Sequence, residues 1–129
     1  MTAISASVGI VTDEPDELLS FYGVAFGFVV ESSSEFPQGV VHRLRAGDAH
    51  LKLYAPLDGA AAPDRPYPWF RDRGMAYAAL HVTNARATTD AVRGAGGAVL
   101  TEPVSHRPGA VYALVQDPQG NVWELLQET

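Results

Sequence analysis

The chain has no cysteine among its 129 residues. That excludes a disulfide scaffold, a thiolate metal site and a cysteine nucleophile. It also fits a reducing compartment, so a cytoplasmic location is expected. Long apolar runs are missing too: none approaches the roughly 18 residues needed to span a bilayer. Residues 1–12 carry no basic segment followed by an apolar one, so neither a secretory leader nor membrane association is expected. Basic residues are few, nine Lys and Arg against fifteen Asp and Glu, for a formal net charge of -6. An acidic surface repels phosphate backbones, which argues against nucleic acid as a partner and suits a cationic small molecule better. Phosphate-cradling and nucleophile signatures are lacking as well: no G-x-S-x-G, P-loop or G-x-G-x-x-G stands at a strand–helix turn.

What is present is ordinary globular material. Hydrophobic residues make up 47% of the chain, enough at this length for one compact domain without a covalent or metal staple. Residues 4–12 alternate, with Ile4, Ala6, Val8 and Ile10 on one face, and predict a strand. A helix follows. Asp13 is its expected cap, Pro15 suits its first turn, and Leu18, Leu19, Tyr22, Ala25 and Phe26 recur at helical spacing before Gly27. Strands are predicted over 28–33, 40–45 and 50–54, the last two joined by a short turn at Gly47-Asp48.

The same order then repeats. Residues 76–82 read as a strand, and Asn84 caps a helix reaching Ala95. Strands follow over 98–101, 110–116 and 122–127. Between the halves, residues 56–74 hold Pro56, Pro63, Pro66 and Pro68 and read as a connector. The strand–helix units align at an offset of 70 residues, matching Ser7 with Tyr77; the final strands align at 72, matching Lys52 with Glu124. The expected fold class is therefore α+β, two βαβββ modules (1–55 and 75–129) in one domain, forming a curved mixed sheet around a cavity.

Two stretches give this pattern a relative. Asp117-Pro118-Gln119-Gly120-Asn121-Val122-Trp123-Glu124-Leu125 is close to a DPxGNxxEL ending, and Phe21-Tyr22-Gly23-Val24-Ala25-Phe26-Gly27-Phe28 is close to FYxxxLGF. With the repeat, they make the chain resemble the vicinal oxygen chelate superfamily of glyoxalases, bleomycin-resistance proteins and extradiol dioxygenases. The resemblance implies a small-molecule site and a homodimer. In metal-using members, His opens each module and Glu sits on its last strand, giving the imidazole and carboxylate donors that divalent cations prefer. Here the matching positions are Ser7, Lys52, Tyr77 and Glu124. A hydroxyl is a weak donor and an ammonium repels a cation. No metal and no other cofactor are therefore expected at that position. An ion pair of Lys52 with Glu124 is the expected replacement. His42, His50, His81 and His106 are the candidates for a relocated metal.

Strand alternation assigns Ser7, His50, Lys52, Tyr54, Tyr77, His81 and Glu124 to the cavity face, with Trp69 and Phe70 of the connector as a cover for its opening. The function expected is metal-independent binding of a small organic molecule, a drug or a metabolite. The alternative is a lyase, isomerase or dioxygenase-type enzyme, using a relocated metal or Lys52, Tyr77 and Glu124 as acid and base.

Overall fold

The computed structural model describes residues 2–62 and 73–128. The elements run β1 (Val8–Val11), α1 (Pro15–Phe26), β2 (Val29–Phe36), β3 (Gly39–Ala46), β4 (Ala49–Pro56), β5 (Ala78–His81), α2 (Ala85–Gly94), β6 (Ala98–Arg107), β7 (Ala110–Gln116) and β8 (Val122–Glu128). They form two open four-stranded mixed sheets of like topology, β1-β4-β3-β2 and β5-β8-β7-β6. In each, the first strand runs parallel to the last and the other pairings are antiparallel. This is the expected α+β repeat.

The duplication is visible residue by residue. Ile10 in β1 and Leu80 in β5 point into the core from matching places, as do Leu51 with Trp123 and Leu53 with Leu125 in the two final strands. Their alternate neighbours face the other way and keep some exposure. A period of two sends every second side chain to one face, so the apolar set selects which face is covered. The core is continuous across both repeats. Leu18, Phe21 and Tyr22 of α1 join Val92 of α2, Leu51 and Leu53 of β4, Val115 of β7 and Leu125 of β8 in one buried cluster.

A buried polar cluster ties α1 to the β7–β8 turn. The Tyr22 hydroxyl donates to Asp117 Oδ2 at 2.5 Å, and the Trp123 indole N–H donates to Tyr22 Oη at 2.9 Å. Asp117 also accepts from the backbone N–H groups of Gln119 and Asn121 and from Asn121 Nδ2. Burial, reinforced by the Asp117 carboxylate and the hydrogen bond to it, raises the Tyr22 hydroxyl far above the ordinary phenol range. The DPxGN stretch is thus a turn whose aspartate organises its own backbone and anchors the first helix.

Several element ends differ from expectation, among them the start of β1 at Val8 rather than residue 4. The N-cap of α1 is Glu14 and makes no side-chain cap bond, so Asp13 is not the cap. Thr12 does the local work instead, accepting the Glu14 N–H at 2.9 Å and donating to Gln119 Oε1 at 2.8 Å. Strands β2 and β6 extend to Phe36 and Arg107, past the expected ends at 33 and 101. In β2 the polar residues are kept in the ladder by cross-strand side-chain bonds, Ser33 with His42 and Arg43 with Ser34. Asn84 caps α2 as expected, accepting the Ala87 N–H at 3.0 Å.

Candidate functional site

The face of each sheet turned away from the core carries the candidate residues. On the first sheet, parallel pairing sets Gly9 beside Lys52 and Val11 beside Tyr54. Antiparallel pairing continues the rows, with Arg43 opposite Lys52 and Arg45 opposite His50. On the second sheet, Ala79 lies beside Glu124, and Glu124 is opposite Leu114 of β7. Lys52 and Glu124 therefore hold equivalent places in the two repeats, one flanked by a cation and the other by apolar side chains.

Two adjoining hollows border these residues, and the larger also takes in the core-side residues Val8, Ile10, Leu80 and Trp123. One, of about 340 Å³, is lined by residues 5–7 with Glu31, Arg43, Leu44, His50, Leu51 and Lys52. The other, of about 660 Å³, runs between the β1 and β5 edges and includes Ser7, Gly9, His50, Tyr77, Ala79, Val122 and Trp123. Ala6, Ser7 and His50 belong to both. The larger volume falls in the range of small-molecule sites.

The structure thus gathers Ser7, His50 and Lys52 in one hollow and Ser7, His50 and Tyr77 in the next. His81 lies apart, lining a third hollow with Phe26 and Thr83 and facing Glu128 at 3.8 Å. Tyr54 and Glu124 line none of the three hollows. Tyr54 leans over Gly9, where an added Cβ would lie 3.4 Å from its ring, and meets Phe36 edge-on at 5.9 Å. It is a wall residue of the sheet. Trp69 and Phe70 lie outside the described residues. The expected ion pair of Lys52 with Glu124 does not form: among the described residues, no ion pair joins them. They sit on separate sheets, each surrounded by its own cross-strand neighbours.

A divalent cation fits this donor set poorly. Ser7, Lys52, Tyr77 and Glu124 offer one ionised carboxylate and one ammonium. Among the described residues, no three His, Cys, Asp or Glu side chains come together in a way that could hold a metal. His42, His50 and His81 belong to no such group, and the His106 side chain lies outside the described ones. Arg43 and Arg45 were the residues that strand-by-strand reading missed. The signal was available in the short Gly47-Asp48 turn, which fixes the β3–β4 register and hence the partners of Lys52 and His50.

The comparisons with known proteins agree with the geometry. The family model described as Glyoxalase/Bleomycin resistance protein/Dioxygenase superfamily matches residues 4–125. Proteins named "Putative glyoxylase CFP32" from Mycobacterium bovis and Mycobacterium tuberculosis are each 34% identical over 119 residues, covering 92% of this chain. The chain spans only 41% of the length of these relatives. A glyoxalase family protein from Bacillus cereus superposes with a TM-score of 0.84 at 16% identity, over 99% of this chain and 95% of that one. Glyoxalase I from Zea mays superposes with a TM-score of 0.75 at 20% identity, over 94% of this chain and 43% of that one. At these identities the structural likeness speaks for the fold alone. With the two βαβββ repeats, the paired hollows and the family match over nearly its whole length, the chain belongs to the Glyoxalase/Bleomycin resistance protein/Dioxygenase superfamily.

Proposed function

We propose that this chain binds a small organic molecule in the cleft between β1 and β5 without a divalent cation. The observation that carries the reading is the pairing of a ligand-sized cleft, about 660 Å³, with a donor set unsuited to metal. The cleft mixes the polar groups of Ser7, His50 and Tyr77 with the apolar surface of Ala79, Val122 and Trp123. That mixture suits an organic ligand: apolar contact supplies affinity and a few polar groups fix orientation. The proposal includes a homodimer, supported by the family's habit and by exposed Val11, Val29 and Val104 on the strands. It also includes a cytoplasmic setting, supported by the lack of cysteine. No described helix is long and apolar enough to cross a membrane.

The test is a ligand-observed NMR screen of small aromatic and aliphatic fragments, run with and without EDTA, beside elemental analysis of protein purified without chelator. The reading expects hits whose binding is indifferent to EDTA, mapped to Ser7, His50 and Tyr77, and metal well below one equivalent. Stoichiometric metal, or hits that vanish with EDTA, would refute it.

A second reading is favoured by one observation, the glyoxylase naming of the 34% identical relatives. In it, Lys52 and Tyr77 serve as base and acid in a lyase or isomerase, with Glu124 in support. A Lys52→Met variant that keeps ligand affinity and loses turnover would favour this reading.

A further inference from the structure

We infer that the ligand of the paired hollows is an organic anion, its carboxylate or phosphate held by Lys52 and Arg43 and its apolar body lying in the β1–β5 cleft. The inference rests on the reading of that cleft as a binding site and gives it a ligand class.

The starting point is register. Arg43 stands directly opposite Lys52 across the antiparallel β3–β4 pair, and Arg45 directly opposite His50. Side chains so placed leave the sheet on the same face about 5 Å apart at Cβ, where like charges repel. Such a pair is tolerated when counter-charge is supplied. The smaller hollow contains one carboxylate, Glu31, and it is committed to Arg45 at 3.4 Å. Arg43 donates to the neutral Ser34 Oγ at 3.0 Å. Among the described residues, neither Arg43 nor Lys52 has a carboxylate partner.

Two facing cations thus lack an internal counter-charge among the described residues, in a chain whose net charge is -6. Overall acidity suggested a cationic ligand; the local field of this face has the opposite sign. Local charge within a concave surface governs what is held there, because it acts at contact range and across low-dielectric walls. A guanidinium beside an ammonium suits a carboxylate or phosphate, the first by its paired N–H donors and the second as a point charge.

The shape of the adjoining space supplies the rest of the ligand. The cationic hollow opens onto the larger cleft through Ala6, Ser7 and His50, which line both. Beyond them the walls are Gly9, Ala79, Val122 and Trp123. An anion with a ring-sized or branched apolar body would satisfy both parts at once. A free inorganic anion would fill only the first.

The experiment is a set of titrations by isothermal calorimetry with four probes of one shape: phenylacetate, phenyl phosphate, phenylacetamide and phenethylamine. At least one of the two anions is expected to bind ten-fold or more tightly than the neutral amide, with the amine weaker still. Which anion is preferred identifies the head group. In Lys52→Met that preference is expected to collapse, with amide affinity unchanged. Arg43→Gln provides a second variant with the same expectation, should the first fold poorly. Added sodium chloride should weaken anion binding and leave amide binding alone. Equal affinity for anion, amide and amine would overturn the inference and leave the binding reading standing. Binding of none of the four would overturn both.

Discussion

Removing one oxygen atom tests how the first helix is anchored. Tyr22 is fully buried, and its hydroxyl both donates to Asp117 and accepts from Trp123. Tyr22→Phe keeps the ring, so the edge-on contacts with Phe21 and Phe28 survive. Two losses remain. A hydrogen bond to a carboxylate contributes roughly 1.5–3 kcal/mol. Asp117 keeps three other donors, Gln119 N, Asn121 N and Asn121 Nδ2, which places its loss at the low end. The Trp123 N–H is then buried without an acceptor, at a further cost of about 1–3 kcal/mol. Together the substitution should lower unfolding free energy by about 3 kcal/mol, read from urea denaturation with an unchanged m-value. Tyr54→Phe is the control: its half-exposed hydroxyl has no hydrogen bond among the described residues, and its loss should change stability by less than about 0.5 kcal/mol. A Tyr22→Phe effect below about 1 kcal/mol would show that the cluster is not the anchor described.

Other consequences can be checked on the same instruments. Gly97→Ala would set a Cβ 2.5 Å from the Gln116 carbonyl oxygen and 2.8 Å from Phe21 Cε1, so a loss of about 1–3 kcal/mol is expected in denaturant titrations. Asn84→Ala removes the α2 cap bond to Ala87 and should cost about 1 kcal/mol by the same assay, with Asn84→Asp close to wild type. Alkali should act through Tyr22. Its folded-state affinity for the proton is raised, so its contribution is fully present below the ordinary phenol range and declines above about pH 10, where the unfolded chain releases the proton first. Wild type should therefore lose up to about 1.4 kcal/mol more per pH unit above that point than Tyr22→Phe, as seen in urea midpoints measured between pH 8 and 11.

Much of the fold was legible because apolar spacing and turn chemistry agreed. Leu51 and Leu53, Trp123 and Leu125, and Ile10 and Leu80 are buried on the faces that alternation selects. Gly27 ends α1 in the left-handed conformation, at φ 76°, that glycine adopts without strain. The far end of β2 was not legible, since Ser34 and Glu35 carry no apolar signal and are held by the β3 ladder and, at Ser34, by a side-chain bond from Arg43. The site was legible in part. Alternation grouped Ser7, His50, Lys52 and Tyr77; His50 and Lys52 lie on β4, Ser7 and Tyr77 just precede β1 and β5, and all four line the two adjoining hollows. It could not say which sheet faces meet, so Lys52 with Glu124 was a pairing by analogy, and Lys52 instead faces Arg43. His81 shares that periodicity and lines another hollow.

The central claim is tested most directly by titrating isotopically labelled protein in EDTA with the tighter-binding of phenylacetate and phenyl phosphate, followed by amide shifts. It predicts saturable shifts centred on Ser7, His50, Lys52 and Tyr77, with the same dissociation constant when EDTA is replaced by Mn²⁺ or Zn²⁺. Binding that appears only with the added cation, or shifts confined to surfaces away from these residues, would contradict it.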